Sequence, residues 1–182
     1  MKYNSKVLLE EQYLIPFKII SVYIGWKLFD HFAEIPGTTL NHFWTSLVYH
    51  LGCVYAVVTS FILTIGGLKA TASSININLV ASNKQVWVQE HCLAIPAIVV
   101  FCGAILLFKG RWSEKAMFLA IGLSGIICIN LLRLILVSVA FVQFSPHIFR
   151  LMHSYVYAIV TYAFIFGLVA WWMNRTTENS TE

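Results

Sequence analysis

The sequence predicts an all-α integral membrane protein: four transmembrane helices, one interfacial or re-entrant helix and a short extracytoplasmic β-hairpin, in a single domain over residues 1–182. Composition is the first observation. The chain is 59% hydrophobic and 11% charged, against roughly 25% charged for a soluble domain. The second is that the apolar residues gather in runs near the ~20 residues a helix needs to cross a bilayer. Five spans are the alternative arrangement. The net charge of +4 is spread along the chain. No Lys/Arg cluster or aromatic-basic interleaving points to nucleic acid, so the expected surroundings are lipid.

The first run, residues 13–32, carries Lys18, Lys27 and Asp30 and relies on snorkelling at its ends. Lys2 and Lys6 precede it, but Glu10 and Glu11 interrupt and no small-residue cleavage site follows. A signal peptide is not expected. After the linker AEIPGTTLNH comes the run 43–67, ending in Gly66-Gly67.

Residues 68–91 form the extracytoplasmic loop. Within it SININLV and KQVWVQ alternate apolar and polar residues around Ala81-Ser82-Asn83, the pattern of a hairpin. The run 93–108 has Pro96 in its first turn, where a missing N–H is harmless. The basic loop KGRWSEK leads into the run 116–142, and SPHIFRLM into the last span, 153–173. Trp171 and Trp172 fit an aromatic belt. The tail NRTTENSTE is polar and expected to be disordered.

Lys/Arg asymmetry sets the orientation. With five spans the two orientations score almost equally. With 43–67 in the interface, Lys2, Lys6, Lys109, Arg111, Lys115 and Arg175 share one side against Lys69, Lys84 and Arg150. That excess puts both termini in the cytoplasm of a multi-pass protein. Cys92, at the start of one span, and His153, at the start of another, then face the extracytoplasmic side.

Arg133 is the only charge in its run. A guanidinium there costs roughly 2.5–3.5 kcal/mol even on mild insertion scales, which a partner or function must offset. It lies ~26 Å beyond Ala116 at 1.5 Å per residue, in the outer part of the core. Three consecutive helices thus bring a thiol, a guanidinium and an imidazole to a similar depth.

That trio suits acyl transfer. A thiol attacks carbonyls as its thiolate, which a nearby cation favours. His153 can move the proton to a leaving amine, and Arg133 can hold an oxyanion. Asn130, three residues before Arg133 on the same helical face, is placed to orient Arg133 or donate to substrate. Glu90 and His91 precede the cysteine, either to tune it or to solvate the loop.

Cys92-Leu93-Ala94-Ile95, then Asn130-Leu131-Leu132-Arg133-Leu134, then His153 resembles the exosortase/archaeosortase family of membrane-embedded cysteine transpeptidases. The resemblance covers roughly residues 86–170. It implies Cys92 as nucleophile with Arg133 and His153 as partners, and a bacterial cytoplasmic membrane location. It also implies substrates: exported proteins whose C-terminal sorting signal is a short motif, a hydrophobic helix and a basic tail. Two departures bear on substrate class. The family often has Gly two residues after its cysteine and one turn after its histidine, where this chain has Ala94 and Tyr157.

The competing function is a non-enzymatic membrane subunit or small transporter component in which Arg133 binds an anion or a partner acid. Cys53, Cys102 and Cys128 are read as core residues. His31, His42 and His50 lack ligand spacing, so neither a metal nor another cofactor is expected. His147 and Arg150 are assigned to lipid headgroups.

Overall fold

A computed structural model describes residues 5–107, 111–143 and 157–178. In order they form α1 (Ser5–Ala33), α2 (Thr39–Ile65), β1 (Ala70–Ser73), β2 (Asn76–Leu79) and β3 (Lys84–Trp87). A 3-10 turn, Glu90–Cys92, then precedes α3 (Ile95–Leu107), α4 (Trp112–Gln143) and α5 (Tyr157–Glu178). The mostly helical architecture with one small sheet matches the expected class.

α2 and α4 are each long and apolar enough to cross a membrane, whereas α3 and the apolar part of α5, Ile159–Trp171, are shorter. Residues 43–65 of that segment therefore lie in one unbroken helix, Thr39–Ile65, whose length and composition also meet the five-span alternative. α5 continues to Glu178, into the tail expected to be disordered. Neither Gly nor Pro stands there to stop it.

Lysines fix the C-terminal end of α3. The last carbonyls of a helix have no intrahelical donors, and its C-terminal end attracts cations. Lys115, only 6% exposed, donates to the Leu106 carbonyl at 3.1 Å and sits over the Trp112 ring. Lys18 donates to the Leu107 carbonyl at 3.4 Å. The charge that made α1 a poor span thus caps its neighbour.

Phe101 of α3 lies where a Cβ on Gly122 of α4 would stand. Only glycine lets that ring sit against the helix backbone. Phe101, Ile105, Phe118, Ile126 and Ile165 form the core shared by α3, α4 and α5. Cys128 is exposed on α4, and Cys53 and Cys102 are half-buried. The core assignment therefore fails for Cys128, which its helical phase turns outward.

A second core joins α1, α2, the sheet and the C-terminal part of α4, through Trp26, Trp44, Ile77, Leu79, Val88, Leu93 and Leu134. The sheet is antiparallel in the order β1-β2-β3. β2 follows the predicted alternation, with Ile77 and Leu79 buried. β1 is an addition to the expected hairpin. Its sequence, Ala-Thr-Ala-Ser, has a single β-branched residue, Thr71, and no aromatic, and pairing with β2 organises it.

The sheet folds back along α2. The Thr64 hydroxyl donates to the Ala70 carbonyl at 3.0 Å, and the Tyr49 hydroxyl meets Ser74 Oγ at 2.7 Å. Gly52 admits Ile75, whose Cγ2 lies 3.1 Å from the glycine's Cβ position. Val54, Val57, Phe61 and Ile65 of α2 stay exposed. Lys84 donates to the Phe141 carbonyl at 2.8 Å, tying β3 to the C-terminal end of α4.

Candidate active site

Cys92 sits in the turn that feeds α3, three residues before the helix begins. Its N–H donates to the Gln89 carbonyl at 2.8 Å, and the Leu93 N–H donates to the Glu90 carbonyl at 3.0 Å. Ala94 then takes φ +54° before Ile95 opens α3. The chain thus reverses sharply just after its candidate nucleophile, which is 8% exposed.

α4 holds this turn in place. The Asn130 carboxamide donates from Nδ2 to the Cys92 carbonyl at 2.6 Å, and the bond is buried. Asn130 itself is 2% exposed. A buried carbonyl without a donor costs roughly 1–3 kcal/mol, so this contact ties the cysteine turn to α4. The Tyr55 hydroxyl of α2 lies beside the Asn130 side chain. Three elements distant in sequence therefore converge behind Cys92.

Arg133 follows Asn130 by three residues on α4, on a neighbouring part of the same helical face. It is half-buried, with its Nε enclosed, and it is engaged in interactions of its own. Glu90 is half-buried in the cysteine turn, where its carbonyl accepts from Leu93. The His91 side chain and all of His153 lie outside the described residues, as do His147 and Arg150. Of the expected set, then, Cys92 and Asn130 are in direct contact, and Asn130 brings its own helix, with Arg133, against the cysteine turn.

Asn130 was expected to serve Arg133 or substrate; its partner here is the backbone carbonyl of Cys92. Tyr55 was not foreseen. Within an apolar run a tyrosine reads as packing, and nothing in the sequence links position 55 to position 130.

Ala94 has a conformational explanation. A φ of +54° lies in the left-handed region, which costs an L-residue with a Cβ roughly 1–2 kcal/mol and costs glycine nothing. The turn thus asks for the residue that the resemblance associates with this position. Ala94→Gly is expected to preserve the turn and raise stability by about 0.5–1 kcal/mol, less the extra chain entropy of glycine. Thermal unfolding in detergent reads this out; a clear loss of stability would mean that the alanine methyl contributes packing worth more than the strain.

No curated protein and no solved structure matches the chain. The model of the transmembrane exosortase family matches residues 19–175, spanning α2, the sheet, the cysteine turn, α3, α4 and most of α5. The chain is a membrane protein, and it belongs to the transmembrane exosortase family.

Proposed function

We propose that this protein is a membrane cysteine transpeptidase that cleaves the C-terminal sorting signal of exported proteins. Cys92 is the nucleophile. Its sulfur bonds to the scissile carbonyl carbon, the C–N bond breaks, and the leaving amine takes its proton from the His153 imidazolium. An acceptor amine then attacks the thioester, gives its proton to the now neutral His153 imidazole, forms the new C–N bond and releases the thiolate. Arg133 stabilises the oxyanion in both halves. The site opens to the extracytoplasmic side of a bacterial cytoplasmic membrane.

One observation carries the reading: the Asn130 side chain grips the Cys92 carbonyl at 2.6 Å. This sets the cysteine turn against the helix whose next turn bears Arg133, the arrangement a thiol and an oxyanion-binding cation require. Family membership supports the chemistry independently.

The sheet supports an interfacial placement of α2. Its strands carry Thr71, Ser73, Asn76, Asn78 and Gln85 and run alongside α2 between Tyr49 and Thr64. Polar strands with open edges do not occur in lipid-exposed hydrocarbon. With α2 in the interface, its exposed Val54, Phe61 and Ile65 meet lipid and the sheet remains in water.

The test is mass spectrometry of the protein expressed with an exported reporter. This reporter ends in a randomised segment, an apolar helix of bilayer length and an arginine-rich tail, and processed sequences are selected. The expected result is a hydroxylamine-labile acyl adduct on the peptide containing Cys92. Processing without any adduct on that peptide overturns the assignment.

A further inference from the structure

The geometry points to the free edge of β3 as the subsite that takes an extended segment of the polypeptide substrate as an added strand. This deepens the reading above and rests on it.

The hydrogen-bond pattern defines which groups are open. The Val88 N–H donates to the Ile75 carbonyl at 3.0 Å, and Val86 pairs with Ile77 in the same antiparallel register. In such a ladder, pairs that exchange hydrogen bonds alternate with pairs that do not. Lys84, Val86 and Val88 therefore direct their backbone groups at β2. Gln85 and Trp87 direct theirs to the other side, where they have no backbone partner among the described residues.

The opposite edge is different. The Val80 N–H donates to the Lys69 carbonyl at 3.0 Å, so by the same alternation Ala70 and Ala72 face outward from β1. At Ala70 that edge is closed, because the Thr64 hydroxyl both donates to its carbonyl at 3.0 Å and accepts from its N–H at 3.4 Å. One edge is capped by α2, and among the described residues the other is open. Unpaired edges are usually blunted, because they recruit other chains.

Position selects the occupant. β3 runs from Lys84, anchored at the C-terminal end of α4, through Trp87 and directly into the turn that bears Cys92. Any chain paired along Gln85 and Trp87 is carried toward the sulfur. The Trp87 side chain is 60% exposed, a platform for an apolar residue of that chain. Backbone pairing of this kind binds any extended peptide, and side-chain contacts add selectivity.

Proline distinguishes the two sides of this strand. At position 85 it removes an N–H that points away from β2, leaving the ladder intact, and it favours extended backbone at the preceding residue. Ala72→Pro makes the equivalent change on the β1 edge. The reporter selected with the wild-type protein is the probe.

Gln85→Pro is expected to raise KM by roughly tenfold or more, with kcat and the unfolding temperature near wild type. Ala72→Pro is expected to process normally. A cysteine at position 85 should form disulfides with cysteines placed at alternate positions along the reporter segment, the period of a paired strand.

If Gln85→Pro processes at the wild-type KM, or the crosslinks lack the two-residue period, the strand-addition proposal falls and the Cys92 chemistry stands. The same holds if position 85 links only to a second copy of this chain. If Cys92→Ala still processes the reporter, or no reporter is processed, the transpeptidase reading itself falls.

Discussion

Cys92→Ala is expected to reduce processing by on the order of a thousandfold or more, the scale on which loss of a covalent nucleophile is felt. The substitution removes one sulfur from a position that is already 92% shielded, the residue being 8% exposed. Alanine fits the same turn, because the hydrogen bonds that shape it come from the backbone of Gln89, Glu90, Cys92 and Leu93 and from Asn130. The protein should therefore fold and insert normally while losing activity. Cys92→Ser should behave almost as badly, since a hydroxyl is far less ionised than a thiol. A Cys92→Ala protein that processes its reporter at the wild-type rate would sink the mechanism. If Arg133→Ala alone abolished function while Cys92→Ala did not, the non-enzymatic reading with Arg133 as an anion site would take its place.

Asn130→Ala is the second large effect. The Cys92 carbonyl would keep its burial and lose its donor, a cost of roughly 1–3 kcal/mol, or about 5–150-fold when expressed in rate. Asn130 touches the backbone of the nucleophile, so it is a positioning residue. Its loss should therefore lower kcat and leave KM nearly unchanged. Asn130→Asp should be worse than Asn130→Ala at neutral pH, because an ionised carboxylate would face the same carbonyl, acceptor against acceptor. Lowering the pH protonates that carboxyl and restores a donor, so the Asp variant alone should regain relative activity in mild acid. Equal rates for wild type and Asn130→Ala would show that the 2.6 Å contact does not govern the site.

Much of this was legible in the chain, for identifiable reasons. β2 announces itself by strict alternation, and Ile77 and Leu79 are indeed buried, whereas β3 is less plain because Val86, Trp87 and Val88 are all apolar and Trp87 is exposed. α4 was legible as an apolar run, and the i, i+3 relation of Asn130 and Arg133 follows from helical geometry alone. The partner of Asn130 was not legible, because a backbone carbonyl carries no residue signature. Tyr55 was hidden for a related reason: its approach to Asn130 crosses 75 positions, the difference between 130 and 55. Lys115 looked like part of a basic loop, yet it is buried against the end of α3. Only the fold shows that a helix terminus there needs a donor. The left-handed backbone at Ala94 was likewise invisible, although the position had already stood out as a departure from the family pattern.

The shortness of α3 has a consequence for traffic through the site. Its 13 residues rise ~20 Å, less than the ~30 Å hydrocarbon layer, and the ammonium groups of Lys18 and Lys115 pin the lower end. On the proposed orientation the sulfur therefore rests in a sunken bay, below the outer headgroups. Under the proposed function, a membrane-anchored donor would slide in sideways from the acyl chains, and its severed anchor would leave by the same lateral route. The amine that discharges the thioester must descend from above, through whatever water the bay admits. Two reactants would thus enter by separate doors, an arrangement that favours transfer over hydrolysis when the upper opening is narrow.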